Sequence, residues 1–199
     1  DVSSAPSFNN PRKNCMNAPA THPLPEDAKN QSSIDRIIFL PKTLAERQKI
    51  FDAGLNEMKR QGLPSDITIV PRLEEIQVGY INALGQYEYR DTIKDPKRAE
   101  AALKANPKWF AADGVYHGKG KISIFATATA ANTRLTVVDN SLLDFRLNSN
   151  LGFHLVLTSV ENVIQTIAHE VAHHNKLGHG DVALYNSEFL AIKNYRSRQ

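Results

Sequence analysis

Residues 158–181 read TSVENVIQTIAHEVAHHNKLGHGD, and this stretch decides how the rest of the chain is read. Val160, Val163, Ile164, Ile167, Ala168, Val171 and Ala172 recur at intervals of three and four, the spacing of one buried helical face. Thr158 followed three residues later by Glu161 is a capping box that starts such a helix, and Gly178 is a stop. A core-packed helix is therefore expected. His169 and His173, four apart, project from one side of it on successive turns, at a separation that a single metal ion bridges. Glu170 lies beside the pair, where a carboxylate can take a proton from a zinc-bound water whose pKa the metal has lowered to roughly 7. The pattern is H-E-x-x-H, and this chain's own frequencies of His and Glu predict only about 0.01 chance occurrences of it. Four of the seven histidines fall between positions 169 and 179, a clustering that a merely solvated helix face does not require.

A catalytic zinc site takes three protein ligands and keeps one position for water. His179, six residues beyond His173, is the first candidate for the third ligand, with Gly178 letting the chain turn back beneath the helix end. Asp181 and Glu188 are alternative oxygen ligands. Asp181 also suits the N-cap of a last helix beginning near Val182. His174, four residues after Glu170, is a candidate either to orient it or to face solvent, and His22, His117 and His154 read as structural or exposed. Stabilising an oxyanion needs a further donor, for which Tyr185 and Tyr195 are candidates. Against that role, Val182, Tyr185, Phe189 and Ile192 also form a stripe at core spacing.

Working outward, 199 residues with 41% hydrophobic and 23% charged side chains suit one globular domain. The formal net charge of +3 is too small to point to a polyanionic partner, so nucleic acid is permitted but not indicated. No uninterrupted apolar run approaches a membrane span. The single Cys15 excludes an intramolecular disulfide and a multi-cysteine zinc site. The start at Asp1, without a basic-then-apolar leader, suits an exported mature form, an excised piece or a cytoplasmic chain alike.

Residues 1–33, dense in Pro, Asn and Ser, read as an extended or flexible arm, with the domain proper over 34–199. Ile34–Leu40 and Asp66–Val70 read as strands stopped by Pro41 and Pro71. The helix between them starts in a capping box of Thr43 with Glu46 and stops at Gly62, which makes a β-α-β opening. Residues 72–90 mix both periods and stay unassigned. Asp95 caps a short helix through Asn106, with Pro96 at its first position. Residues 114–128 suggest a hairpin around Gly118-Lys119-Gly120. Lys121, Ser123 and Phe125 would share one face of it, Ile122, Ile124 and Ala126 the other, with Lys121–Thr127 at a sheet edge able to accept a substrate strand. Residues 134–139 and 153–158 are further short apolar runs, separated by a polar loop around Asn148–Asn150.

HEVAHHNKLGH (169–179) has the ligand spacing of the metzincin pattern HExxHxxGxxH. Lys176 stands at the glycine, and the only methionines, Met16 and Met58, lie upstream rather than in a methionine turn after the third histidine. HGDVALYNSEFLAI (179–192) looks like the ending found in the WLM, Spartan and SprT-like group. Over roughly 40 residues, then, the chain resembles zincin metallopeptidases of that group or a divergent metzincin. The resemblance implies an α+β, zincin-like single domain with a small mixed sheet, an edge strand beside the cleft and an active-site helix carrying HExxH. It also implies Zn2+ as cofactor and endopeptidase action on protein or peptide substrates. The competing expectation is a non-catalytic zinc-binding interaction module with a basic surface. Three protein ligands with an adjacent glutamate argue against it, because structural zinc sites are normally closed by four protein ligands.

Overall fold

The chain order, in a computed structural model that describes residues 20–21, 26–144 and 149–199, begins with β1 (Ala20–Thr21), α1 (Glu26–Ile38) and α2 (Leu44–Arg60). β2 (Thr68–Arg72), β3 (Ile76–Ile81), β4 (Tyr87–Ile93) and α3 (Pro96–Ala105) follow. Then come β5 (Phe110–Ala112), β6 (Gly114–Tyr116), β7 (Lys121–Phe125), β8 (Thr133–Asp144) and β9 (Ser149–Leu157). The chain closes with α4 (Ser159–His174) and α5 (Val182–Arg196). The architecture is α+β, with three small sheets among the described residues, in the orders β4-β3-β5, β2-β7-β6 and β1-β8-β9. All pairings are antiparallel except β2 with β7, which makes that sheet mixed. Among the described residues no helix is long and apolar enough to cross a membrane.

The opening is α-α-β rather than β-α-β. α1 begins at Glu26, inside the segment read as an arm, and carries most of the Ile34–Leu40 run read as a strand. Helical spacing sends Ile34 and Ile37 to one buried face and leaves Ile38 62% exposed, a split that β-branching alone does not reveal. α2 starts where expected, with the Thr43 hydroxyl accepting from the Glu46 N–H at 3.1 Å, one of the two bonds of a capping box. It stops at Gly62, where φ is 96°. The strand expected over Asp66–Val70 is shifted and continues through Pro71 as β2. Proline is tolerated there because β2 is an edge strand, whose missing N–H costs no ladder bond. The unassigned residues 72–90 hold β3, a turn and most of β4, with a bulge between Val78 and Gly79 that breaks the period-two pattern. α3 and its Asp95 cap match the reading.

The β6–β7 hairpin also forms, but β7 lies at the centre of its sheet and β6 at the edge, which corrects the Lys121–Thr127 edge assignment. Ile122 and Ile124 are fully buried, and Ser123 and Phe125 2% exposed, so both faces are covered and alternation is lost. Ala126–Thr129 turns into a 3-10 helix instead of extending the strand. The loop expected at Asn148–Asn150 is strand from Ser149 onward, while Asn148 lies outside the described residues, as does Cys15.

The main core gathers on α4, whose Val163, Ile164, Ile167 and Val171 are fully buried among Phe51, Met58 and Ile124. α2 crosses α4 at Gly54, where a Cβ would stand 2.4 Å from a Val163 methyl, so only glycine permits the approach. A second cluster joins α1, α3 and β3 through Ile37, Leu103 and Val78. This packing clamps α4 between α2 and α5 and leaves its histidine face to the opening.

Candidate metal centre

α4 begins in the expected capping box: Thr158 accepts from the Glu161 N–H, and the Glu161 carboxylate accepts from the Thr158 N–H. Eleven residues past the cap, His169 leaves the core-facing side, and His173 follows one turn later. Their Nε2 atoms lie 3.1 Å apart, and His179 Nε2 lies 3.1 Å from that of His169. The ligand atoms of His169, His173 and His179 all fall within 4.8 Å of one another, and the group can hold a metal ion.

His179 arrives by a specific turn. The Leu177 N–H reaches the Ala172 carbonyl and the Lys176 N–H the His173 carbonyl, each at 3.0 Å, the paired bonds of a Schellman C-cap. The left-handed position of that cap is Lys176, with φ 65°, and not Gly178 as the sequence suggested. Leu177 then packs on Ala172, Leu184 and Tyr185. Two side chains on the far side hold the loop. Asp181 accepts from the Gly178 N–H at 2.6 Å, and the Tyr185 hydroxyl donates to the His179 carbonyl at 2.6 Å. Asp181 thus occupies the N-cap position of α5 without capping it by its side chain, and stands apart from the three histidines.

Each α4 ligand ring is also gripped at Nδ1. That of His173 donates to the Leu177 carbonyl at 2.8 Å, and that of His169 to Glu188 at 2.9 Å. Glu188, 2% exposed, takes a second bond from Gln165 at 2.8 Å. Glu188, which the sequence allowed as an alternative ligand, thus holds the outer nitrogen of His169 and lies outside the group of three histidines. Burial disfavours charge on His169, but Glu188 and then Glu170 outweigh it and push the imidazole up to about 9. Burial and the charge of His169 hold His173 below its ordinary value. His179 is lowered to about 4 by burial, then by His169 and His173. The last two rings are thus neutral at physiological pH, with lone pairs available to a metal.

Glu170 is 6% exposed, and burial pushes its carboxyl up to about 7 against the opposing pull of His169. The Tyr116 N–H of β6 faces that carboxylate and favours its charged form. His169, Glu170, His173, His179 and Glu188 line one cleft of about 870 Å³, which β5, β6 and the turn between β3 and β4 also line. In the β6–β7 ladder Asp113 and His117 bond toward β7, so the amides of Gly114 and Tyr116 face the other way, toward α4 and the cleft. Arg36 of α1 pairs with Asp113 at 3.0 Å and braces this edge.

Of the remaining candidates, His174 turns from Glu170 to Tyr116 and Asp66. His117 is exposed and bonds Ser123 at 2.7 Å. Tyr195 packs against the core, and the side chains of His22 and His154 lie outside the described residues. Tyr185, whose hydroxyl is engaged with His179, serves the loop. Sequence reasoning missed the orienting role of Glu188 and the part of Tyr116. A carboxylate set among the buried apolar residues of α5 signals the first; the second has no local signal. No family model, curated protein or solved structure matches the chain.

Proposed function

We propose that the chain is a zinc-dependent endopeptidase of zincin type that hydrolyses peptide bonds in protein substrates. His169, His173 and His179 would hold the metal, and Glu170 would act as general base. The observation that carries this reading is the convergence of three imidazole Nε2 atoms beside a buried carboxylate that does not join the group. Three nitrogen donors leave a tetrahedral ion one open position, the composition of a catalytic rather than a structural zinc site. The carboxylate on His169 and the carbonyl on His173 are the outer hydrogen bonds that such ligands use to fix tautomer and orientation. Lys176 supports the resemblance to HExxHxxGxxH, since at the glycine position it adopts the left-handed backbone that glycine favours.

Bound there, zinc would supply a Lewis acid that polarises a carbonyl and makes water more acidic. The chain's own groups do the rest. Glu170, kept near neutrality in its carboxyl affinity by burial, accepts the proton of the attacking water and delivers it to the departing amine. β6 offers the outward-facing amide of Gly114 to an extended substrate, which pairs as an added strand. Glu188 and Tyr185 keep the histidine geometry constant through the cycle.

The test is cleavage of a proteome-derived protein mixture by the zinc-loaded chain, with Glu170→Gln as control and new termini identified by mass spectrometry. The expected result is a defined set of cuts that falls by at least roughly 10²-fold in the variant while zinc content is unchanged. Equal cleavage by both proteins removes Glu170 from the mechanism. Zinc binding without cleavage by either favours the interaction-module reading.

A further inference from the structure

His174, adjacent to the metal-binding histidines, belongs to a different network. Its Nε2 lies 3.0 Å from an Asp66 carboxylate oxygen and its Nδ1 2.8 Å from the Tyr116 hydroxyl. The carboxylate selects the tautomer with hydrogen on Nε2, leaving Nδ1 to accept from Tyr116. The same hydroxyl accepts from the Gly120 N–H at 3.3 Å, and the two rings meet edge-on with centroids 5.6 Å apart. Asp66 is itself held at the hairpin turn, because Gly120, with φ 76°, lets its carbonyl come so close that a Cβ there would stand 2.2 Å away.

Tyr116 has two ends, and both meet α4. Its hydroxyl meets His174, while its backbone N–H, turned away from β7, faces the carboxylate of Glu170, one helical turn earlier on the same face. Gly114, two residues back on β6, lies flush on that glutamate: a Cβ there would be 3.2 Å from Glu170 Cγ and 2.9 Å from a Thr166 methyl. The edge strand is therefore fastened to the helix at one point and bears on Glu170 at two others.

We propose that Asp66, His174 and Tyr116 form a positioning relay that locks β6 onto α4, so that the Tyr116 N–H holds the Glu170 carboxylate in the orientation its chemistry needs. None of the three is a catalytic residue. The inference rests on the peptidase reading for its consequence in rate, but not for the contact itself. A short edge strand of three residues has few ladder bonds to fix it, so its pose depends on such a side-chain anchor. The aligned amide removes one rotational freedom from a group that must meet water and leaving amine in turn, and misplacement of that kind lowers rate more than binding.

The experiment uses the full chain with Tyr116→Phe, His174→Asn and His174→Gln. Asn retains an acceptor near the Nδ1 position that faces Tyr116, whereas Gln retains a group only near Nε2. In zinc-loaded protein, Tyr116→Phe and His174→Gln should each lower kcat by roughly tenfold with KM within about twofold, and His174→Asn should recover most of the loss. Independently of any cleavage, the amide proton of residue 116, observed by NMR, should resonate far downfield as a donor to a carboxylate. It should move upfield in Glu170→Gln and in Tyr116→Phe. If the wild type cuts no substrate, the peptidase reading fails while the amide shifts still decide the relay. Wild-type kcat in Tyr116→Phe, equal losses in the two His174 variants, or an amide shift indifferent to both substitutions overturns it.

Discussion

Replacing Glu188 by Gln and by Ala separates an orienting carboxylate from a metal-ligating one. In the wild type the buried Glu188 accepts from His169 Nδ1 at 2.9 Å and from Gln165 Nε2 at 2.8 Å. Glutamine keeps the shape and one acceptor oxygen. Its amide can be satisfied by a flip of Gln165, whose Oε1 is buried without a hydrogen-bond partner. What disappears is the charge assistance on the His169 bond, the difference between a charged contact of about 1.5–3 kcal/mol and a neutral one of about 0.5–1.5 kcal/mol. On the proposed function, that difference of about 1–1.5 kcal/mol should weaken zinc binding about 5- to 15-fold. Alanine removes the acceptor altogether and should cost toward 100-fold, the upper end for partners of metal-bound histidines, roughly 10–100-fold. Competition against a chromogenic chelator at fixed pH measures both constants, with near-ultraviolet circular dichroism reporting whether the fold persists. Affinities of both variants within about twofold of wild type would refute the orienting role. A Gln variant as weak as the Ala variant, with fewer protein donors at the metal, would instead make Glu188 a ligand.

Two further outcomes follow from the same geometry. Lys176→Gly should stabilise the chain by roughly 0.5 kcal/mol in urea denaturation. An exposed side chain in left-handed backbone costs about 1 kcal/mol, and glycine returns part of that as unfolded-state entropy; a lower midpoint for the variant contradicts the C-cap assignment. Glu161 governs stability in acid. Burial raises its carboxyl affinity, but the Arg196 guanidinium at 2.5 Å and the Thr158 N–H outweigh burial and hold the group below its ordinary 4.5. A depressed carboxyl contributes stability above the unfolded value and loses it as pH falls through the folded one. Glu161→Gln should therefore lower the Tm at pH 7, and the gap to wild type should close below pH 4.5; a gap independent of pH removes the ion pair as its cause.

Much of the centre was legible because it is local. Thr158, Glu161 and seven apolar residues at three-and-four spacing specify α4 wherever it sits in the molecule, and the helix alone sets His169, Glu170 and His173 on adjoining positions. His179 was legible too, since a turn of a few residues confines where the next histidine can go. α1 was not: Ile34, Ile37 and Ile38 favour a strand by type, and only contact of α1 with α3 and β3 makes the helix the conformation that buries Ile34 and Ile37.

What the sequence by itself determined is thus the histidine face that could hold a metal ion, a property of one helix and its C-cap. What only the tertiary structure decided is everything that surrounds that face. Glu188 sits nineteen residues beyond His169, and Asp66 lies 108 residues before His174. The strand nearest Glu170 is β6 rather than β7 because sheet order, not strand propensity, makes an edge. Such pairings depend on how α2, α5 and the hairpin pack around α4. Chain separation carries no period by which they could be read, and the low-energy arrangement exists only once the core has closed.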